Sequence, residues 1–332
     1  IGATPVIVPE ALIAPLDVNG VFNFIEWSND DRNVLATYAV GDQVQYLLID
    51  RNNPAQSQNL TTLLAAAPGD EISLVDREND QFFVYKAMTK LLHTASIDSG
   101  ITESPILSTP LLAYTTFSDD WLLYVRESGD KGLVDVRFKR GNKDIQIKQL
   151  KTSDAYLLEL AKLGSAPVMA ISSPVENRAV VYDDPEKYLD DNPEAKIPVA
   201  TTVLRVPSIQ GLTISTDSSV ILGYSETLFA SHEFDTDRSY VVDLENPITI
   251  TIEPRWVDGQ HLIYSSGGVQ NMIDFDGSND YELVESIASL GSFYTDDIEQ
   301  MITFTAPIAA TETAPAVPAR LTSTSLLIKE DR

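Results

Sequence analysis

An all-β fold is predicted by three features of the 332-residue chain: a two-strand unit that recurs seven times, turns spaced 39 to 56 residues apart, and almost no helical periodicity. Together they describe a seven-bladed β-propeller of four-stranded antiparallel blades. The unit is an apolar run, a short polar turn and a second apolar run ending near an aromatic residue. Its copies are FNFIEWSNDDRNVLATY (Phe22 to Tyr38), ISLVDRENDQFFVY (Ile72 to Tyr85), LLAYTTFSDDWLLYV (Leu111 to Val125) and VMAISSPVENRAVVY (Val168 to Tyr182). GLTISTDSSVILGY (Gly211 to Tyr224), IEPRWVDGQHLIY (Ile252 to Tyr264) and GSFYTDDIEQMITF (Gly291 to Phe304) follow. Aligned on Asp30, Asn79, Asp120, Glu176, Asp217, Asp258 and Asp297, the copies show three intervals of 41 residues.

Each pair is followed by a third β-rich run, such as VQYLLID (Val44 to Asp50), LVDVRFK (Leu133 to Lys139) or SYVVDL (Ser239 to Leu244). A fourth run is visible in NLTTLL (Asn59 to Leu64), DIQIKQL (Asp144 to Leu150), ITITI (Ile248 to Ile252) and YELVES (Tyr281 to Ser286). The blades are placed at 21–64, 71–107, 110–150, 167–208, 210–250, 252–286 and 290–330 of a single domain over 1–332, with the N-terminal strand at 4–14 closing the last blade. Closure of this kind removes two open edges. The alternative is six blades plus a tail, with Ala306 to Arg320 as a Pro/Ala/Thr linker. Ala155 to Leu163 carries leucines at 157, 158, 160 and 163 and is readable as a short helix or a strand.

The turn carboxylates have a structural reading, because an Asp or Asn side chain caps its own backbone N–H groups in a tight hairpin. Gly259 and Gly277 are expected to supply positive φ beside two of them. The aromatics Trp27, Tyr38, Tyr85, Trp121, Tyr124, Tyr182, Tyr224, Trp256 and Tyr264 recur at equivalent places and are expected to pack between blades.

Composition narrows the function. The net charge of −26 repels nucleic acid and anionic membrane surfaces, so neither is expected as a partner. Absence of cysteine removes disulfides, thiolate metal sites and cysteine nucleophiles. No run of 18 apolar residues is present, so no membrane span is expected within the chain. The start at Ile1, with neither Met nor a leader pattern, reads as a processed product or an excised piece.

RWVDGQHLIYSSGGVQNMIDFDGSNDYELV (Arg255 to Val284) resembles the TolB-type, WD-like bacterial propeller repeat. EWSNDDRNVLATY and YLLIDRNNPAQSQNLTTL in the first copy, and SYVVDLENPITITI in the fifth, resemble it more loosely. The resemblance implies a propeller of exported or surface proteins, sometimes found beside PEGA-type β modules. It thus implies a bacterial envelope location: exported, periplasmic or at the cell surface.

Catalytic signatures are thin. No G-x-S-x-G, H-E-x-x-H or S-x-D-x-G-x-T-W motif occurs, and His93, His232 and His261 fall in different blades. The expectation is therefore a non-catalytic propeller without a cofactor, monomeric, that binds another protein or a peptide. Second-to-third-strand loops open on the same face as the connections between blades, and three long insertions are assigned to them: Asp183 to Pro198, Ser225 to Arg238 and Ala306 to Arg320. The expected partner-binding residues are Asp183, Asp184, Tyr188, Asp190 and Asp191 from the first, and His232, Glu233, Asp235 and Asp237 from the second. The second cluster also has the oxygen donors of a calcium loop, though too few to complete one alone. DFDGSND (Asp274 to Asp280) reads as a hairpin turn rather than a calcium loop. The alternative function is a propeller lyase or glycosidase, with Glu26, Asp76, Glu253 and Asp296 converging from the innermost strands.

Overall fold

A computed structural model describes residues 12–13, 20–30, 32–118, 120–188, 198–250, 252–285, 292–295, 300–305 and 320–325. The chain divides into two compact units, one of residues 1–127 with 139–142 and one of 128–138 with 143–332.

The fold is all-β, with antiparallel sheets formed in sequence order as in a β-propeller. The first sheet runs β1 (Val21–Trp27), β2 (Asn33–Val40), β3 (Gln43–Asp50), β4 (Gln58–Asn59), and the second β5 (Glu71–Leu74), β6 (Gln81–Lys86), β7 (Leu91–Ser96), β8 (Gly100–Ile101). The third contains β9 (Ala113–Phe117), β10 (Trp121–Glu127), β11 (Leu133–Arg140) and β12 (Lys143–Lys151). The fourth contains β13 (Leu157–Leu163), β14 (Ala166–Ser172), β15 (Arg178–Asp183) and β16 (Thr202–Arg205). The fifth is built from β17 (Gly211–Ile214), β18 (Val220–Tyr224), β19 (Leu228–Glu233) and β20 (Arg238–Asp243). The sixth is built from β21 (Arg255–Trp256), β22 (His261–Ser266), β23 (Val269–Asp274) and β24 (Tyr281–Glu285).

Among the described residues six four-stranded blades are found, not the seven expected. The strands that remain, β25 (Ser292–Thr295), β26 (Gln300–Thr305) and β27 (Arg320–Ser325), form a three-stranded sheet. The strand expected to complete it, 4–14, lies outside the described residues except for Leu12 and Ile13.

The fourth sheet corrects the repeat alignment. Residues 157–163 form a strand, not a helix, paired with β14 from Leu157↔Ser172 to Leu163↔Ala166. The copy aligned on Glu176 is therefore the second-to-third hairpin of its blade, not the first-to-second, which makes its 41-residue spacing to Asp217 coincidental. The fifth sheet keeps its expected first hairpin but differs after it: LFASHE is its third strand and SYVVD belongs to its fourth. In the first sheet NLTTLL is not a strand. Only Gln58–Asn59 pairs with β3, and Leu60–Leu63 turns into α1, whose first turn is capped by the Asn59 side chain accepting from Thr62 N. The Asn59 amide also donates to Leu12 O at 3.0 Å and Gln45 Oε1 at 2.7 Å.

Apolar residues alternate along the strands so that consecutive sheets share a core. In the first unit Leu35, Leu48, Ile72, Phe82 and Val84 join sheets one and two, and Phe83, Leu92, Leu122 and Tyr124 join two and three. In the second unit Val181, Leu204, Leu212 and Ile221 join sheets four and five, and Leu222, Phe229, Leu262 and Tyr264 join five and six.

Three of the first hairpins, in the first, third and fifth sheets, carry a Ser-x-Asp box. Asp217 Oδ1 accepts from Ser215 Oγ (2.7 Å), Ser219 N (3.0 Å) and Ser219 Oγ (2.7 Å), while Ser215 Oγ accepts from Val220 N (3.0 Å). Ser28 and Asp30 repeat the arrangement, with Asn33 N donating to Ser28 Oγ at 2.9 Å, and Ser118 Oγ donates to Asp120 at 2.9 Å. Gly277 has the expected positive φ of 88°, but Gly259 does not. Gly259 is needed for space instead, since a Cβ there would lie 2.3 Å from Asp217 Oδ2.

Candidate functional site

Within the first unit, the first strands β1, β5 and β9 and their turns enclose a cleft of about 930 Å³. Its walls carry four carboxylates, Glu26, Glu71, Asp76 and Glu78, one cation, Arg77, and the rings of Tyr114 and Phe117. Two irregularities aim these groups. The β1–β2 register slips between Phe24 and Glu26, a bulge that leaves Ile25 without a facing residue just before Glu26. Asp76 and Arg77 then take consecutive left-handed conformations, with φ of 51° and 57°. Strained backbone of this kind persists only when neighbours hold it. Here Arg77 Nε donates to Trp27 O at 2.8 Å, Asn29 N donates to Arg77 O at 2.8 Å, and the Asn29 amide donates to Asp76 O.

Desolvation sets the electrostatics. Burial pushes the Glu26 carboxyl up, opposed by a 2.8 Å bond from Leu74 N and by the Arg77 charge. Glu71 is also pushed up by partial burial of its carboxyl. Tyr114 is raised, chiefly by burial and then by the Glu71 charge, so its hydroxyl stays protonated, and its ring stacks with Tyr85 at 5.3 Å between centroids. The cleft thus offers carboxylates with apolar ring faces beside them, a surface suited to a cationic group on an aliphatic stem.

Of the four carboxylates expected to converge, Glu26 and Asp76 share this cleft, joined by Glu71 and Glu78, which the sequence did not single out. Glu253 lies in the second unit, and Asp296 lies outside the described residues. Glu253 has a different neighbour there: Glu159 on β13, raised to about 8 by burial and then by the Glu253 charge.

The expected partner-binding residues lie in the second unit, and their assigned face is corrected. Asp183 and Asp184 open the connection from β15 to β16, and residues 234–237 form the tight turn from β19 to β20. Both are third-to-fourth connections, not second-to-third loops, because the fourth sheet begins one strand earlier than the repeats suggest and the fifth contains the overlooked strand β19. They are nevertheless brought together: β16 packs on β19, and the Asp183 charge acts on His232. Asp235 and Asp237 are exposed, Glu233 is half-buried, and His232 is buried rather than part of a loop. Tyr188 is half-buried, with its hydroxyl accepting from Val199 N at 3.3 Å; Asp190 and Asp191 lie outside the described residues. The third insertion, apart from the strand residue Arg320, is likewise outside them.

The other histidines are held locally: His93 Nδ1 lies 2.9 Å from Thr102 O, and His261 Nδ1 lies 2.7 Å from Asp258 Oδ2. Among the described residues no group of three or more His, Cys, Asp or Glu side chains is arranged to hold a metal ion, and no helix is long and apolar enough to cross a membrane.

No family model matches the sequence, and no curated protein matches it. Solved structures do. Hsv2 of Kluyveromyces lactis is similar over 92% of this chain and 99% of its own, with 12% identity and a TM-score of 0.51. A form of that protein with loop 6CD replaced by a Gly-Ser linker gives 12% identity, the same coverage and a TM-score of 0.52. Hsv2 of Kluyveromyces marxianus matches over 91% of this chain and 98% of its own, at 10% identity and a TM-score of 0.51. At such identities the likeness is one of fold, and the fold it supports is a β-propeller.

Proposed function

We propose that this chain is a non-catalytic binding propeller that captures a cationic segment of a protein or peptide in the cleft of its first unit. The observation that carries the reading is the cleft itself: four carboxylates against one arginine, with tyrosine and phenylalanine faces beside them, in a volume able to take one or two long basic side chains. Charge-assisted hydrogen bonds to carboxylates would hold the ammonium or guanidinium heads. The test is titration calorimetry with a Lys/Arg hexapeptide against wild type, Glu26→Gln and Glu71→Gln. Loss of about tenfold in affinity per neutralised carboxylate, equivalent to about 1.4 kcal/mol, is expected. Unchanged affinity in both variants would overturn the reading.

A second reading is favoured by one observation: Glu26 and Glu71 share a cleft and both carboxyls are pushed up, as a general acid requires. Depolymerisation of a polysaccharide by wild type, abolished in Glu26→Gln, would replace binding by lyase or glycosidase chemistry. The bacterial envelope is the location we propose, supported by the TolB-like repeat at 255–284; fractionation of the source cells tests it.

A further inference from the structure

Sheets four and five set two acidic hairpins beside a histidine sealed from solvent. The His232 side chain is 1% exposed. Its Nδ1 lies 3.0 Å from Ser239 Oγ, and its ring meets Phe234 edge-on at 5.2 Å. Nε2 is buried without a hydrogen-bond partner, and Asp237 Oδ1 stands 3.8 Å away. A buried polar atom left unpaired is costly and calls for an explanation.

The tautomers explain it only in part. If Nδ1–H donates to Ser239, the Nε2 lone pair points toward a carboxylate, which is electrostatically unfavourable. If Nε2 carries the proton, its N–H faces Asp237 from beyond hydrogen-bond reach. A second proton satisfies both nitrogens at once: Nδ1–H to Ser239, and Nε2–H to Asp237 after a small closure of an exposed turn. The charged groups that act on the ring are Asp237 in the turn, Asp183 from β15 and Glu233 from its own strand, with the Arg238 main chain also favouring the charged form. Burial opposes all of these and holds His232 below the ordinary histidine value.

We propose that His232 is a proton-operated latch on an acidic docking surface for a cationic protein segment, formed by Asp183, Glu233, Asp235 and Asp237. With the imidazole neutral, the carboxylates present their charge outward. With the imidazole protonated, Asp237 turns inward to pair with it, Asp183 is partly neutralised, and the cationic segment is released. This surface does not depend on the cleft reading. Its stability linkage has a definite sign: the folded state prefers neutral His232, so the contribution is complete above about pH 6.5 and is lost as pH falls from there through the lower folded midpoint.

The test uses NMR of the intact chain, whose three histidines keep the ring resonances separable. His232 is expected to titrate below about 6.5, and the backbone amides of 183–184 and 233–237 to shift with the same midpoint. Asp237→Asn is expected to lower that midpoint further, since it removes a group that favours the charged ring; asparagine suits the left-handed φ of 53° there. Hexalysine should perturb the same amides at neutral pH and bind about tenfold more weakly below the His232 midpoint. In His232→Gln that weakening should disappear. Should His232→Gln not fold, Asp237→Asn decides alone. The proposal is overturned if the hairpin amides ignore the His232 midpoint, if Asp237→Asn leaves it unmoved, or if hexalysine affinity is the same on both sides of it.

Discussion

The first-strand cleft of the first unit and the paired hairpins of the second are both acidic, but they are built on opposite plans. In the cleft the carboxylates stand on or beside strands, aimed by a bulge and two left-handed residues. Their geometry is fixed, and only partial desolvation tunes their charge. In the hairpins Asp235 and Asp237 ride on an exposed turn, Asp183 and Glu233 end the strands beside it, and the rigid element is the neutral base beneath them. One plan is the one proposed above to select a ligand by shape. The other is the one proposed above to make surface charge depend on pH. The difference shows that acidity alone does not define a site, because what lies under the carboxylates decides what they can do.

Four experiments test that contrast, in decreasing order of effect. Phe82 is fully buried in the core between sheets one and two that supports β5, so Phe82→Ala should cost about 3–5 kcal/mol by denaturant unfolding. A loss under about 1 kcal/mol would mean the cleft walls are not held by that core. Glu159 provides an intermediate case, a carboxyl that burial keeps protonated at neutral pH. A folded value of about 8 against an unfolded one of 4.5 means the native state binds the extra proton, so stability should fall as pH rises between those values. The slope is at most about 1.4 kcal/mol per pH unit, and Glu159→Gln should flatten it. Ser215→Ala removes the acceptor for Val220 N in the fifth sheet and should cost about 1 kcal/mol. Asp235→Asn changes an exposed turn charge and should move stability by less than about 0.5 kcal/mol, with the effect confined to binding.

These regions are unequally legible in the sequence. The Ser-x-Asp boxes are local, so SND at 28–30, SDD at 118–120 and STD at 215–217 mark first hairpins, although SND recurs at 278–280 in a third-to-fourth hairpin. β13 has no such box: LLELAKL starts at an ordinary turn, and its leucine spacing imitates a helix. With that strand hidden, VENR imitates a first hairpin and the Asp183 connection falls at the wrong end of its sheet. Burial of His232 is hidden for a related reason, since HEFDTD is polar in all but one position and the strand ends inside it. Glu26 and Asp76 are visible as acids near first strands. The bulge at Ile25 and the left-handed pair at 76–77 are not, because neither is marked by glycine. Glu71 reads as an ordinary polar position of a strand, and only the neighbouring strands make it part of a cleft.

The Asn59 side chain has a consequence for secretion through a glycosylating pathway. Asn59-Leu60-Thr61 satisfies the acceptor rule for N-linked sugar, yet the amide nitrogen that would carry the sugar is spent on Leu12 O and Gln45 Oε1, and the carbonyl caps α1. Once folded, the chain should therefore refuse the modification. A glycan added before folding would leave Nδ2 only one N–H for Leu12 O and Gln45 Oε1, so a host that decorates this asparagine would yield a less stable protein than one that does not.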